Sequence, residues 1–376
     1  MQKIRPGRVI ISGNGYRQPE DRSMNKNDYL DRIRGCLVGG AAGDALGYAV
    51  EFDKLRSIRK EYGKQGITEY NLDFLTGSAV VSDDTQMTLF TAEGIIAAKK
   101  CGVVKPADKK MYPYVHSAYL NWYETQGRKP GKMPVNDMPA SELMDIPEMY
   151  KTRAPGLTCL SALGSPKKRD LYNPINDSKG CGTIMRMAPV GILYPEAAPE
   201  EIVEMGAEIS AITHGHPLGC FPSGIFAEII RQAIWNDEKK TLAEITGSAM
   251  DAARNLYGKS DLWEDLEALI DKAVSLAGND GSDESNIKKL GEGWVAEEAL
   301  AIALYCALRY ENDFSACLIA SVNHDGDSDS TGAVAGNILG ALIGYDRIDE
   351  KWKKNLQFHK LLLHFADECA AWSVSE

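Results

Sequence analysis

Residues 327–345 read DSDSTGAVAGNILGALIGY. Glycines 332, 336, 340 and 344 recur every fourth residue among small apolar side chains, a spacing that lines one face of a helix. A glycine in a helix interior costs about 1 kcal/mol relative to alanine, so such a row needs a compensating gain. Close backbone contact with a neighbouring element provides one. Gly35, Gly39, Gly43 and Gly47 repeat the same spacing near the start of the chain. In front of the later helix stand Asp327 and Asp329, with Ser328 and Ser330, at the end where the helix dipole is positive.

Working outward, a second acidic cluster, Ser82-Asp83-Asp84-Thr85, also precedes an apolar helical run. Like charges gathered in one place are costly unless a cation compensates them, and hard oxygen donors suit Mg²⁺ or Mn²⁺. If the two clusters meet, a site for two divalent cations follows, and with it a metal-dependent hydrolase. Each cluster alone would also serve as an ordinary helix cap. Two other readings of the late cluster fail on context. Asp327-Ser-Asp-Ser-Thr331 fits the D-x-D-x-T loop of haloacid-dehalogenase-like phosphatases, but that loop follows a strand early in an α/β domain. Asp325, Asp327 and Asp329 mimic the first EF-hand ligands, yet Ser330 replaces the turn glycine and Gly336 stands where the bidentate glutamate belongs.

Helical periodicity dominates the rest, and the expected class is all-α. Leu30, Ile33, Leu37 and Val38 fit one helix; Val295, Ala299, Ile302, Ala303, Cys306 and Ala307 fit another; Pro199 opens a third that should run to Thr213. Short strands are conceivable at residues 8–12 and 67–72, neither long enough to organise a sheet. Seven of the 16 prolines fall between Pro130 and Pro174, with candidate ligands on both sides. That stretch is therefore a rim or lid of one domain rather than a linker. The expected organisation is an N-terminal extension, 1–24, and one multi-helix domain, 25–376.

Composition narrows the partners. The chain has 376 residues, 44% of them apolar, and a net charge of −11. It can bury a large core, while its charge opposes nonspecific attraction to nucleic acid or an anionic membrane. Eight scattered cysteines without a C-x-x-C pair suggest reduced thiols, and no long apolar segment suggests a leader or anchor. A cytoplasmic, monomeric protein is expected.

Two further segments can contact a ligand. Ser178-Lys-Gly-Cys-Gly-Thr183 precedes an apolar helix containing Arg186, and glycines beside free N–H groups suit a phosphate. It is not a Walker loop, because the G-K-[ST] ending is missing. His214-Gly-His216 hints at zinc, but the remaining histidines lack matching spacing. A ligand contact for His214 is preferred.

Taken together, Gly43-Asp-Ala-Leu-Gly47 with Glu51-Phe52, Ser82-Asp-Asp-Thr85, Gly180-Cys-Gly182 with Met185-Arg186, Thr213-His214 and Gly326-Asp-Ser-Asp-Ser-Thr331 resemble the ADP-ribosylglycohydrolase family in content and order. The resemblance implies a single all-α domain with two Mg²⁺ or Mn²⁺ ions. It implies metal ligation by Ser82, Asp83, Asp84, Asp327, Asp329 and Ser330. Glu51, with Asp84 as alternative, would manage the proton. Ser178, Lys179, Gly180 and Gly182 match the diphosphate loop, and His214 a ligand-contacting histidine. The implied reaction is hydrolysis of the bond between ADP-ribose and a protein side chain or small acceptor. Asp-Ser-Asp-Ser-Thr is closer to the arginine-linkage branch than to the serine-linkage branch, where Asp-Thr-Asp-Thr is usual. Ala154-Pro-Gly156 replaces the Asp-Ile-Gly of the nitrogenase-reductase branch, and Cys181 replaces a frequent Asn. Hydrolysis of serine-linked or other O-linked ADP-ribose, and a catalytically silent ADP-ribose-binding member, are the alternatives.

Overall fold

The computed structural model describes residues 25–105, 110–167 and 169–373. Among these, sixteen α-helices form one compact all-α domain. The first half of the chain holds α1 (Lys26–Tyr48), α2 (Leu55–Tyr62), α3 (Asp83–Lys100), α4 (Tyr112–Thr125), α5 (Leu157–Leu163), α6 (Ala188–Ile192), α7 (Pro199–Ser210) and α8 (Pro217–Ile234). The second half holds α9 (Leu242–Tyr257), α10 (Trp263–Ala277), α11 (Asp283–Leu290), α12 (Ala296–Arg309), α13 (Phe314–Val322), α14 (Ser328–Ile343), α15 (Glu350–Lys353) and α16 (His359–Ser373). Two isolated bridges, Ala79 with Leu356 and Gly180 with Val295, are the only β pairing among the described residues.

The centre of the molecule is the pair α1 and α14. Asn25 opens α1 by accepting from the backbone N–H groups of Asn27 and Asp28, while Asp28 returns a bond to the Asn25 N–H. From Gly35 to Gly47 every residue of α1 is buried, and so is every residue of α14 from Ser328 to Ala341. The two glycine rows face one another in antiparallel register. A methyl group added at Gly35, Gly39, Gly43 or Gly47 would overlap the main-chain carbonyl of Gly340, Gly336, Gly332 or Ser328 respectively. The expected close neighbour of α14 is therefore the other glycine helix. Asn337, the one polar side chain in α14 beyond Thr331, donates to the Cys36 carbonyl at 2.8 Å. Helices α12 and α13 pack on α14, and α16 packs on α1.

Some boundaries differ from the sequence reading. Residues 67–72 form no strand: the Asn323 side chain donates to the Ile67 carbonyl and accepts from its N–H, each at 2.9 Å, taking the place of a strand partner. The candidate strand at 8–12 lies outside the described residues. Helix α7 ends at Ser210, and turn residues carry the chain to Thr213. After Thr183 the chain makes a 3₁₀ turn, Ile184–Arg186, and then the five-residue α6, rather than one long helix. Gly344 is not in α14 but follows it at φ +86°, where an L side chain is strained and would also meet Asp31. No helix among the described residues is long and apolar enough to cross a membrane.

Candidate active site

Helix α3 begins at Asp83 because Ser82 caps it, accepting from the Asp84 N–H at 3.2 Å. A third element fixes this start. Asp44, near the C-terminal end of α1 and wholly buried, accepts from the Ser82 N–H at 2.9 Å, from the Thr85 N–H at 3.0 Å, and from the Thr85 hydroxyl. Residues 151–156 close over the same end. The Asp83 N–H donates to the Arg153 carbonyl at 3.0 Å, and Asp83 Oδ2 accepts from the Gly156 N–H at 3.2 Å. Between these contacts Ala154 has φ +51°, a strained value for a residue that precedes a proline.

The start of α14 is built differently. His324 accepts from the Gly326 N–H through Nδ1 at 3.1 Å, so its Nε2–H faces the Ser321 carbonyl at 3.0 Å and the Thr331 hydroxyl at 2.9 Å. Burial depresses its pKa to about 4 and keeps the ring neutral. The Asp327 N–H donates to the Glu292 carbonyl at 2.8 Å, and the Cys181 thiol donates to Asp327 Oδ2 at 2.6 Å. The Asp327 side chain does not cap its helix; it points instead into a group of acids.

Because the glycine rows bring Gly47 against the Ser328 carbonyl, Glu51, just past the end of α1, meets α14 at its start. Ligand oxygens of Glu51, Asp327 and Asp329 lie within 4.8 Å of one another, the one such group of three among the described residues. Asp83 and Asp84 stand outside that tightest set, yet near enough for the Asp329 charge to act on both. Burial first, and Asp329 second, push the carboxyls of Asp83, Asp84 and Asp327 well above the usual range. The same causes raise Glu51 to about 9 and Asp44 to about 7. Glu51 Oε2 and Asp84 Oδ2 are buried with no hydrogen-bond partner. Buried acceptors without donors, among acids that repel one another, are what a bound cation would relieve, and the donor set is all hard oxygen. The residues fit Mg²⁺ or Mn²⁺. Ser330 is buried beside Asp329, with its hydroxyl 4.0 Å from the Met185 sulfur.

The loop of residues 178–183 runs along the same region. Lys179 pairs with Glu297, its carbonyl accepts from the Ala296 N–H at 2.9 Å, and the Cys181 N–H donates to the Trp294 carbonyl at 3.1 Å. Ser178 Oγ faces the Gly180 N–H at 3.4 Å and the Thr158 hydroxyl at 3.2 Å. His214 is 2% exposed and lies under the loop: a Cβ on Gly180 or Gly182 would come within 3.2 Å of its ring. Its Nδ1 meets the Thr213 hydroxyl at 2.8 Å, which in turn accepts from Arg186 at 2.6 Å. Burial, then the Arg186 charge, lower its pKa to about 3. His216 is the cap of α8, accepting from the Leu218 N–H at 3.1 Å, so the His214-Gly-His216 spacing has a structural explanation without zinc.

Asp44, Cys181 and Arg186 contribute more than the sequence reading assigned to them. The signal for Asp44 was present: one carboxylate in a run of glycines and small apolar residues must be buried and must find donors. Arg186 is fully buried, its guanidinium 4.5 Å from the Tyr119 ring centroid, and nothing in its local sequence announces that. Several surface cavities lie elsewhere. One of ≈ 590 Å³ is lined by Tyr112, His116, Leu163 and Arg169, contains none of the acids, and its arginine is occupied by the carbonyls of Ala162, Ser165 and Ile212.

Comparison with known proteins agrees with this architecture. An ADP-ribosylhydrolase of Mus musculus is 24% identical over 87% of this chain and 88% of its own length. An ADP-ribosylarginine hydrolase of Pseudomonas putida is 22% identical over 92% of this chain and 80% of its own. A solved structure, described as an ADP-ribosylglycohydrolase-related protein complex, superposes with a TM-score of 0.60 at 21% identity; it covers 93% of this chain and 100% of its own, and shares the fold. The ADP-ribosylglycohydrolase profile matches residues 25–375, and the chain belongs to that family of hydrolases.

Proposed function

We propose that this chain hydrolyses the glycosidic bond between the distal ribose of ADP-ribose and a protein side chain, with arginine as the leaving group and two divalent cations, Mg²⁺ or Mn²⁺, as cofactors. The observation that carries this reading is the pair of partnerless buried oxygens, Glu51 Oε2 and Asp84 Oδ2, within the cluster that also holds Asp83, Asp327 and Asp329. Ser82, Asp83 and Asp84 are the proposed ligands from α3, and Asp327, Asp329 and Ser330 those from α14. Bound there, the cations would balance the acids, orient ribose hydroxyls and acidify a water.

Glu51 is the proposed proton carrier, with Asp84 as the alternative. Among uncompensated neighbours Glu51 holds its proton up to about pH 9; nearby positive charge lowers that value toward neutrality, where a carboxyl can both give and take a proton. A departing glycosyl group develops oxocarbenium character, which the surrounding carboxylates stabilise. Ser178, Lys179, Gly180 and Gly182 are the proposed diphosphate contacts: the two glycines let an anion reach the backbone, and Lys179 would exchange Glu297 for phosphate. His214 supports those glycines from below and would touch ligand only through its Nε2 edge. Arginine is favoured by Asp-Ser-Asp-Ser-Thr at 327–331 and by the named activity of the Pseudomonas relative.

The test is an assay of the purified chain with ADP-ribosyl-arginine and ADP-ribosyl-serine peptides, with Mg²⁺ or Mn²⁺ and with chelator. Release of free ADP-ribose from the arginine linkage, lost with chelator, is the expected result. Release from serine alone overturns the linkage assignment; release from neither, with ADP-ribose still bound, identifies a silent binding protein.

A further inference from the structure

Phe52 directly follows Glu51 and is 74% exposed; Trp294 is 39% exposed. Their rings lie nearly parallel, 18° apart, with centroids 6.2 Å from one another. Neither ring belongs to the core, and both stand on rigid supports. Phe52 sits in a tight turn in which the Asp53 N–H donates to the Val50 carbonyl at 2.9 Å. Trp294 is flanked by Gly293, which has no room for a side chain against Thr331 of α14, and the Trp294 carbonyl accepts from the Cys181 N–H. The stacked pair is thus anchored on one side by the residue next to Glu51 and on the other by the segment whose Glu292 carbonyl holds the Asp327 N–H.

We infer that Phe52 and Trp294 form the leaving-group subsite, an aromatic clamp that holds the guanidinium of the arginine being released against an exposed ring face. This assignment rests on the hydrolase reading above. Guanidinium is planar, weakly hydrated and permanently charged, so it stacks on aromatic faces better than a hydroxyl leaving group can. The local charge favours a cation as well. Asp53 adjoins Phe52, and Glu292 lies two residues before Trp294. Lys54, two residues after Phe52, is directed to the Asp325 carbonyl at 2.6 Å and to Glu292 at 3.5 Å. The clamp gives the enzyme a means to tell an arginine linkage from a serine linkage by the chemistry of the leaving group itself.

The experiment uses the full chain with Mg²⁺ and the variants F52L, W294L, F52L/W294L and F52Y. Leucine keeps the apolar bulk but removes the π face; tyrosine keeps it. For each, kcat and KM are measured on arginine-linked and serine-linked ADP-ribosyl peptides, with ADP-ribose affinity by calorimetry. The clamp predicts that kcat/KM on the arginine linkage falls about tenfold per lost ring, mostly through KM. It predicts that F52Y retains wild-type selectivity and that ADP-ribose affinity stays unchanged. Equal losses on both linkages, or no loss on either, would overturn it. A parallel fall in ADP-ribose affinity would also overturn it, because the rings would then hold the purine. A wild-type chain that releases ADP-ribose from neither linkage removes the functional reading and the clamp together. Wild-type activity on the arginine linkage with flat variants removes only the clamp.

Discussion

The starts of α3 and α14 carry nearly the same short motif, and the structure treats them oppositely. At α3 the motif is bound from within: Ser82 caps the helix, Asp44 accepts from Ser82 and Thr85, and Gly156 donates to Asp83. At α14 the backbone is held by His324 and Thr331, while Asp327 and Asp329 are left facing Glu51 within 4.8 Å. One end is a satisfied cap with a single orphan oxygen on Asp84; the other gathers charge that its own surroundings do not balance. The lesson is that a run of aspartates before a helix acquires chemistry only from what the fold places opposite it.

The sharpest way to break this contrast is Asp329→Asn. Asp329 is the neighbour whose charge raises Asp44, Glu51, Asp83, Asp84 and Asp327 alike. The substitution should abolish turnover and metal binding by calorimetry, a larger loss than the roughly 10- to 100-fold seen when outer-shell partners are removed. In metal-free protein it should act in the opposite direction and raise the melting temperature, because it relieves repulsion. A metal-free protein destabilised by Asp329→Asn would mean that the acids do not share one field.

Asp44→Asn probes the satisfied end. Asparagine has one acceptor oxygen where Asp44 uses both, so one of the Ser82 and Thr85 donors is left unmet, at about 1–3 kcal/mol. Denaturant unfolding should show that loss, and metal affinity should fall about 10- to 100-fold because Ser82, Asp83 and Asp84 lose their register. An unchanged unfolding midpoint would remove Asp44 from the support of α3.

The smallest effect is a pH dependence. A carboxyl raised in the folded state binds a proton that the unfolded chain has already released, so folding stability falls as pH rises toward the folded pKa. With Asp44 raised to about 7 and Glu51 to about 9, the metal-free melting temperature should decline from about pH 4, where the unfolded carboxyls begin to ionise, up to about pH 9, Asp44 contributing as far as about 7 and Glu51 alone beyond it. Glu51→Gln should flatten the upper part of that decline, and added Mg²⁺ or Mn²⁺ should oppose it by binding the deprotonated acids. A profile flat across this window without metal would show that the acids are already compensated.

Much of this was legible in the chain. The helical class, the two glycine rows and both acidic helix starts follow from period and residue type alone, because helix geometry repeats locally. The residues 67–72 misled, since Ile, Thr and Tyr in a short run resemble a strand until Asn323, about 250 residues later, occupies the backbone groups of Ile67. Cys181 could not be read as a donor to Asp327, nor Phe52 as the neighbour of Trp294, because each pair is joined only across the fold.

The sequence by itself determined which segments would be helices and where carboxylates would stand at their ends, since those properties depend on residues three or four apart. Only the tertiary structure decided that the two glycine helices face one another, and that decision sets everything at the site. Backbone contact without side chains leaves one antiparallel register, which carries Asp44 under Ser82 and Glu51 against Asp327 and Asp329. Charges that are each tolerable on a helix end become a candidate cation site when close packing brings them together in a buried cluster.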